Sequence, residues 1–347
     1  MKSEREYPYL NILNVLSALA VVFLHVNVCF WNYKGVEDIS WWKSANIIES
    51  LFYFAVPVFF MITGATLLDF YKKYGVREYV IKRLNKTFIP YIVWSLVGMI
   101  FNVFVLKIIP FRDVDIRYII KGLVENSFVG VYWFFTALFS VYFCIPLLAA
   151  VDQKRKNSIY MFIVILAGVV NILIPFCISI IPFEIRWDYC VFVCSGYMFY
   201  VLVGYIINNN EIDKKVRMVI YLFSILGLVT HILGTYFLSI DANTVIRTYK
   251  GYNNLPCVLY SIGVFVFVKS ITIKLNAKLI SLFEFLSRYT FGVYLIHIFV
   301  IRGFEKFFII DNTNIIYRLV SPFIYFTICV TSSYFIKKIP LLKRIVP

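Results

Sequence analysis

The sequence predicts an all-α fold: a polytopic membrane helix bundle of about ten transmembrane helices, with both termini cytoplasmic. Three observations carry this. The 347 residues are 61% hydrophobic and only 15% charged, with a mean hydropathy of +0.81. Soluble domains carry about 25% charged residues, and a soluble chain this short cannot hide so much apolar surface. The apolar residues gather into runs of the length a bilayer core requires, about 20 residues. The basic residues fall in the short loops between those runs, where positive charge sets topology. An aromatic share of 19% fits interfacial belts of Trp and Tyr.

The elements follow in order. The first run, 9–31, is too long for a signal-peptide core and lacks a clear small-residue cleavage site, so it reads as a retained first span. Further runs lie at 46–68, 87–108, 129–151, 158–176, 190–207, 218–239, 255–273, 281–302 and 316–337. Pro175 and Pro182 interrupt the fifth, which is expected to continue as a broken or interfacial segment. With the N-terminus inside, 21 basic residues fall on the cytoplasmic side, beginning with Lys2 and Arg5, and 12 fall outside. That bias favours an even number of spans with both ends inside. The loops are short, and no repeat, low-complexity tract or linker is evident. Residues 1–347 therefore read as a single membrane domain.

The net charge of +15 does not point to nucleic acid, because the cations are topological. None of the seven cysteines forms a CxxC pair, and most lie within or beside apolar runs. They read as small packing residues, without metal or disulfides.

Ionisable groups inside spans are functional candidates by default. The chain has three histidines: His25, His231 and His297. In the topology above all three occupy the outer halves of their spans, and His25 and His297 stand at similar depth. At 100° per residue, Asn11, Asn14, Ala18 and His25 share a stripe about 60° wide on the first helix. Asn and His on such a stripe serve either as interhelical glue or, for His25, as a general base near neutrality. For His25 the two readings balance. His231, in LVTHILG, has no polar companion at helical spacing and reads as structural. Arg83 and Lys86, in EYVIKRLNKTFIPYIVW, are one turn apart. They are either topological anchors or a cytoplasmic phosphate clamp, near Pro90, which resets the helix. Arg186, Trp187 and Asp188 in FEIRWDYC read as a surface ion pair beside an interfacial Trp, slightly preferred over a sugar-facing site.

Six stretches, taken in order, resemble one family. They are LNILNVLSALAVVFLH with His25; VPVFFMITGATLL with Thr63 and Gly64; KRLNKTFIPYIVW with Arg83, Lys86 and Pro90; YWFFTALFSVYFCIPLL with Trp133, Phe134 and Pro146; FYVLVGYII with Gly204; and LSRYTFGVYLIHIFVI with Tyr294 and His297. Together they are similar to the integral membrane acyltransferase family 3, whose members acylate sugars and glycans. The chain departs from the family pattern at Asn11, where an acid is usual, and at Asn14, where an arginine is usual.

The resemblance implies an acyl-CoA donor, most often acetyl-CoA, on the cytoplasmic side of a bacterial plasma membrane. It implies a hydroxyl of a cell-surface or lipid-linked carbohydrate as acceptor, and no permanently bound cofactor. On that reading His25 is the base or acyl carrier, and His297 orients the acceptor or assists proton transfer. Arg83 and Lys86 hold the CoA phosphates, Asn11 and Asn14 line the acyl route, and Trp133 packs beside the pantetheine arm or serves as a belt residue. Tyr294, Arg186, Trp187 and Asp188 are candidate acceptor contacts. The alternatives from other classes are a flippase or transporter of a sugar-containing lipid or polysaccharide precursor, and a sensing module without chemistry. A transporter is expected to spread polar residues over many spans, whereas here they concentrate in the first and ninth.

Overall fold

The computed structural model describes residues 7–340 and 342–346; Lys2 and Arg5, counted above as inner charges, lie outside them. Among the described residues the secondary structure is helical, with no strand. The helices are α1 (Pro8–Val26), α2 (Ile39–Phe52), α3 (Ala55–Leu67), α4 (Val76–Arg83), α5 (Ile89–Ile100), α6 (Ile116–Glu125), α7 (Trp133–Ala149) and α8 (Gln153–Ala167). They continue with α9 (Ile174–Ser179), α10 (Tyr197–Asn209), α11 (Lys214–Ala242), α12 (Leu255–Thr272), α13 (Ala277–Ser287), α14 (Thr290–Phe307) and α15 (Ile315–Lys338).

Eight helical stretches are long and apolar enough to cross a membrane, or nine when α13 and α14, bent by 61° relative to each other, count as one. These nine coincide with nine of the ten runs read from the sequence. The fifth continues through a π-helical stretch at Gly168–Leu173 and past Pro175 to Ser179, with Pro182 beyond its end.

The exception is 190–207. Its helix, α10, starts only at Tyr197, after Gly196 in a left-handed conformation (φ 54°), and has 13 residues. That is about 20 Å, short of the roughly 30 Å hydrocarbon core. Its residues are apolar because they pack inside the protein: Met198 through Ile207 are all buried. The partner is α3, and the two backbones nearly touch. A Cβ on Gly64 would stand 1.8 Å from the Val201 carbonyl oxygen, and one on Gly204 would stand 2.0 Å from that of Met61. Two glycines thus permit a close crossing of the kind small residues give membrane helices. An apolar run alone does not separate a lipid-facing helix from one enclosed by protein.

The centre of the bundle is α1. Pro8, whose fixed φ suits a first turn, begins it, and it packs against α2, α3, α12, α13, α14 and α15. Most of its side chains are buried. Asn11, Asn14 and His25 are only half-buried, because each faces a cavity.

Candidate functional site

His25 lines a cavity of about 250 Å³ bounded by α1, α2, α7 and the loops around residues 31, 131, 247 and 252. Behind it on α14 stands His297, fully buried, its ring centroid 5.1 Å from that of His25. The two histidines therefore do meet. His297 Nδ1 lies 2.7 Å from the Tyr294 carbonyl and 3.2 Å from that of Val293. A carbonyl accepts only, so Nδ1 carries the proton and Nε2 the lone pair. That Nε2 is buried without a hydrogen-bond partner. Tyr294, one turn before His297, donates to the Val131 carbonyl at 2.5 Å, and Tyr132 donates to the Leu295 carbonyl at 2.7 Å. These two bonds tie α14 to the start of α7 and fix the wall of the cavity.

Arg83 and Lys86 line a second cavity of about 190 Å³, together with Asn14 and the beginning of α14. Arg83 immediately precedes a π-helical turn at Leu84–Phe88, Lys86 lies within it, and Pro90 follows on α5. Proline offers no amide hydrogen to the preceding turn, and the widened turn is where π segments recur at functional sites. Arg83 lies between two tyrosines, 5.7 Å from the Tyr79 ring and 5.4 Å from that of Tyr142. Its Nε is buried and makes no hydrogen bond. Beyond Asn14 a third cavity follows, lined by Asn11 along with Asp69, Lys72 and Lys73. Asn11 accepts from Ser287 Oγ at 3.0 Å.

Phe134 and Tyr294, with ring centroids 5.2 Å apart, line both the histidine and the basic cavities. They form the partition between them. The polar stripe read on α1 thus runs from the third cavity at Asn11, past the basic cavity at Asn14, to the histidine cavity at His25.

The remaining sequence candidates lie elsewhere or in other roles. Trp133 is on the wall of the histidine cavity rather than the basic one, stacked on Tyr252 at 5.7 Å. Arg186 and Asp188 form an exposed ion pair at 2.6 Å, and Trp187 donates to the Val170 carbonyl. Arg186 lines a separate surface hollow with the 178–185 loop, and none of the three reaches His25. His231 is fully buried against Tyr53, both ring nitrogens without partners.

Sequence reasoning missed Glu49, Arg247 and Tyr252, which line the histidine cavity, and Lys250 and Arg318 behind it. Glu49 was the available signal: a carboxylate inside the second apolar run.

The family model described as an acyltransferase domain matches residues 7–337, nearly the whole chain. No curated protein and no solved structure matches the chain. By that match the chain belongs to acyltransferase family 3.

Proposed function

From a helical membrane acyltransferase as premise, we propose that the protein moves an acyl group, acetyl first, from cytoplasmic acyl-CoA to a carbohydrate hydroxyl. The acceptor is a cell-surface or lipid-linked glycan, and the membrane is a bacterial plasma membrane. One observation carries the reading. A cavity with two cations and a cavity with a histidine pair abut across a single partition of Phe134 and Tyr294. Acyl-CoA has an anionic nucleotide end and a neutral thioester end joined by a long arm. Arg83 and Lys86 suit its phosphates, with the Arg83 Nε lacking any protein partner. The arm then directs the thioester past Tyr294 towards His25.

An alcohol attacks a thioester slowly unless a base takes its proton. His25 accepts that proton while the hydroxyl oxygen bonds to the acyl carbon. The carbon–sulfur bond breaks, and the CoA thiolate leaves and takes up a proton. Alternatively a His25 nitrogen carries the acyl group between donor and acceptor. His297, whose ring lies behind that of His25 and whose Nε2 lone pair is unpartnered, assists by taking up the proton.

The test follows free thiol release from acetyl-CoA by purified protein, with and without a crude lipid-linked glycan fraction. Acceptor-dependent release falls roughly 10²- to 10⁴-fold in His25→Ala, with the variant still folded and inserted. Release that persists in the variant removes His25 from the chemistry. Acid-labile acyl label retained by the wild type without acceptor, and absent from the variant, selects the carrier route.

A further inference from the structure

The histidine cavity contains a charge that the reaction above does not use. Glu49 on α2 forms part of its wall while only 2% exposed. One carboxylate oxygen accepts from Asn27 Nδ2 at 3.2 Å, and the other stands 3.6 Å from Lys250 Nζ. Asn27, just after α1, is itself fixed. Its amide also donates to the Ala45 carbonyl at 2.9 Å, and its oxygen accepts from Arg318 of α15 at 3.2 Å. Arg318 is fully buried and donates on to Ser44 Oγ at 2.8 Å and to the Thr313 carbonyl at 2.9 Å. Lys250, 1% exposed, sits 3.8 Å from the Tyr53 ring centroid and 4.7 Å from that of Phe30, and its ammonium makes no hydrogen bond.

Four parts of the chain thus converge to hold one carboxylate at a cavity wall. Stability does not explain the arrangement. Taking two cations and a carboxylate out of water is costly before their attraction is counted, and well-packed apolar residues often do as well or better. The wall beside Glu49 is aromatic, built from Trp31, Trp133 and Tyr252. A fixed carboxylate next to aromatic faces matches a polyol. Ionised carboxylates only accept hydrogen bonds, and sugar hydroxyls donate them, while the C–H face of a sugar ring packs on an aromatic plane.

We propose that Glu49 binds the acceptor sugar, accepting hydrogen bonds from hydroxyls other than the one acylated, with Trp133 against the ring face. Lys250 and Asn27 are positioning residues that hold this carboxylate in place. The proposal rests on the carbohydrate-acceptor reading and names the group that reads the acceptor.

The experiment uses full-length protein in lipid nanodiscs with acetyl-CoA. Methyl glycosides of glucose, galactose, mannose and N-acetylglucosamine serve as acceptors, and the best is compared with its monodeoxy analogues. A site built to bond a hydroxyl rejects the analogue lacking it. In the wild type, loss of the recognised hydroxyl raises the acceptor KM roughly ten- to a hundredfold. Glu49→Gln raises the KM of the parent glycoside to that of its deoxy analogue and leaves the analogue unchanged. The KM for acetyl-CoA does not move. A variant that keeps the wild-type preference for parent over every deoxy analogue overturns the proposal. If Glu49→Gln does not fold, Trp133→Ala, at a partly exposed position, must raise the acceptor KM alone; an unchanged acceptor KM overturns the proposal equally. Stimulation by simple alcohols but by no glycoside overturns the role of Glu49 and leaves acyl transfer standing. No thiol release with any acceptor overturns the transferase reading beneath it.

Discussion

The histidine cavity and the basic cavity share a wall but are built by opposite means. Around His25 the carboxylate is held. Glu49 has an amide and an ammonium beside it, and that amide is braced by a buried arginine. Around Arg83 and Lys86 no ion pair ties either cation down among the described residues, and both sit at a π-helical turn. The contrast fits the two ligands proposed. A compact sugar is oriented best by groups with no freedom of their own, since little entropy is lost on binding. A long anion with several phosphates is met by cations that no ion pair within the described residues already neutralises.

The contrast can be broken at several points, the largest effect first. Arg83→Ala combined with Lys86→Ala should raise the KM for acetyl-CoA roughly ten- to a hundredfold. It should leave kcat at saturating donor within a small factor, and the salt dependence of donor affinity should weaken. A fall in kcat with KM intact would erase the division of labour between the cavities.

The next test uses pH. Lys250 lies in the loop before α12, and burial pushes its ammonium down to about 8, against the pull of Glu49. It is charged below that pH and neutral above it, so Glu49 loses its partner as pH rises through about 8. The acceptor KM should climb there in the wild type. It should stay flat in Lys250→Arg, whose guanidinium remains charged. The groups facing Lys250 are Glu49 from α2, Arg247 on its own loop, His231 from α11 and Cys257 from α12. A climb of equal size in Lys250→Arg would assign the titration to one of these instead.

Opening the partition is a milder change. Phe134→Ala joins the two cavities, and acceptor-free thioester hydrolysis, followed as thiol release, should rise a few-fold as water reaches the acyl group. The smallest effect is expected at His231→Leu. Replacing an imidazole with two unpartnered buried nitrogens should gain about 1 kcal/mol in thermal or denaturant unfolding and leave both KM values alone. A shifted acceptor KM would mean that the Tyr53 wall depends on it.

How much of this was legible follows from the physics of each signal. Apolar runs report helices well: nine of the ten coincide with stretches long and apolar enough to cross a membrane, the bent α13–α14 pair counted as one. At 190–207 the regular helix covers only Tyr197–Asn209, and its apolar residues pack against α3. The α1 stripe was readable because helical period alone brings Asn11, Asn14 and His25 to one side. Arg83 and Lys86, being one turn apart, were readable for the same reason. Glu49 was readable only as a carboxylate inside an apolar run, and its partnership with Lys250 was not readable at all. Their pairing joins α2 to a loop far along the chain, and nothing local in either segment encodes it. Arg318 read as an outer charge, yet it is fully buried and braces Asn27. A positive-charge rule counts residues without seeing which way they turn.

The bend between α13 and α14 has one more consequence. It starts a fresh helix within a span, and the first residues of that helix, Thr290 and Phe291, line the basic cavity. A helix start carries unpaired amides and the equivalent of about half a positive charge, strongest within the first turn. Backbone therefore adds a fixed positive field to the two side chains, one that no side-chain substitution removes. Even with Arg83 and Lys86 both gone, the cavity should still prefer an anion to a neutral molecule of the same shape.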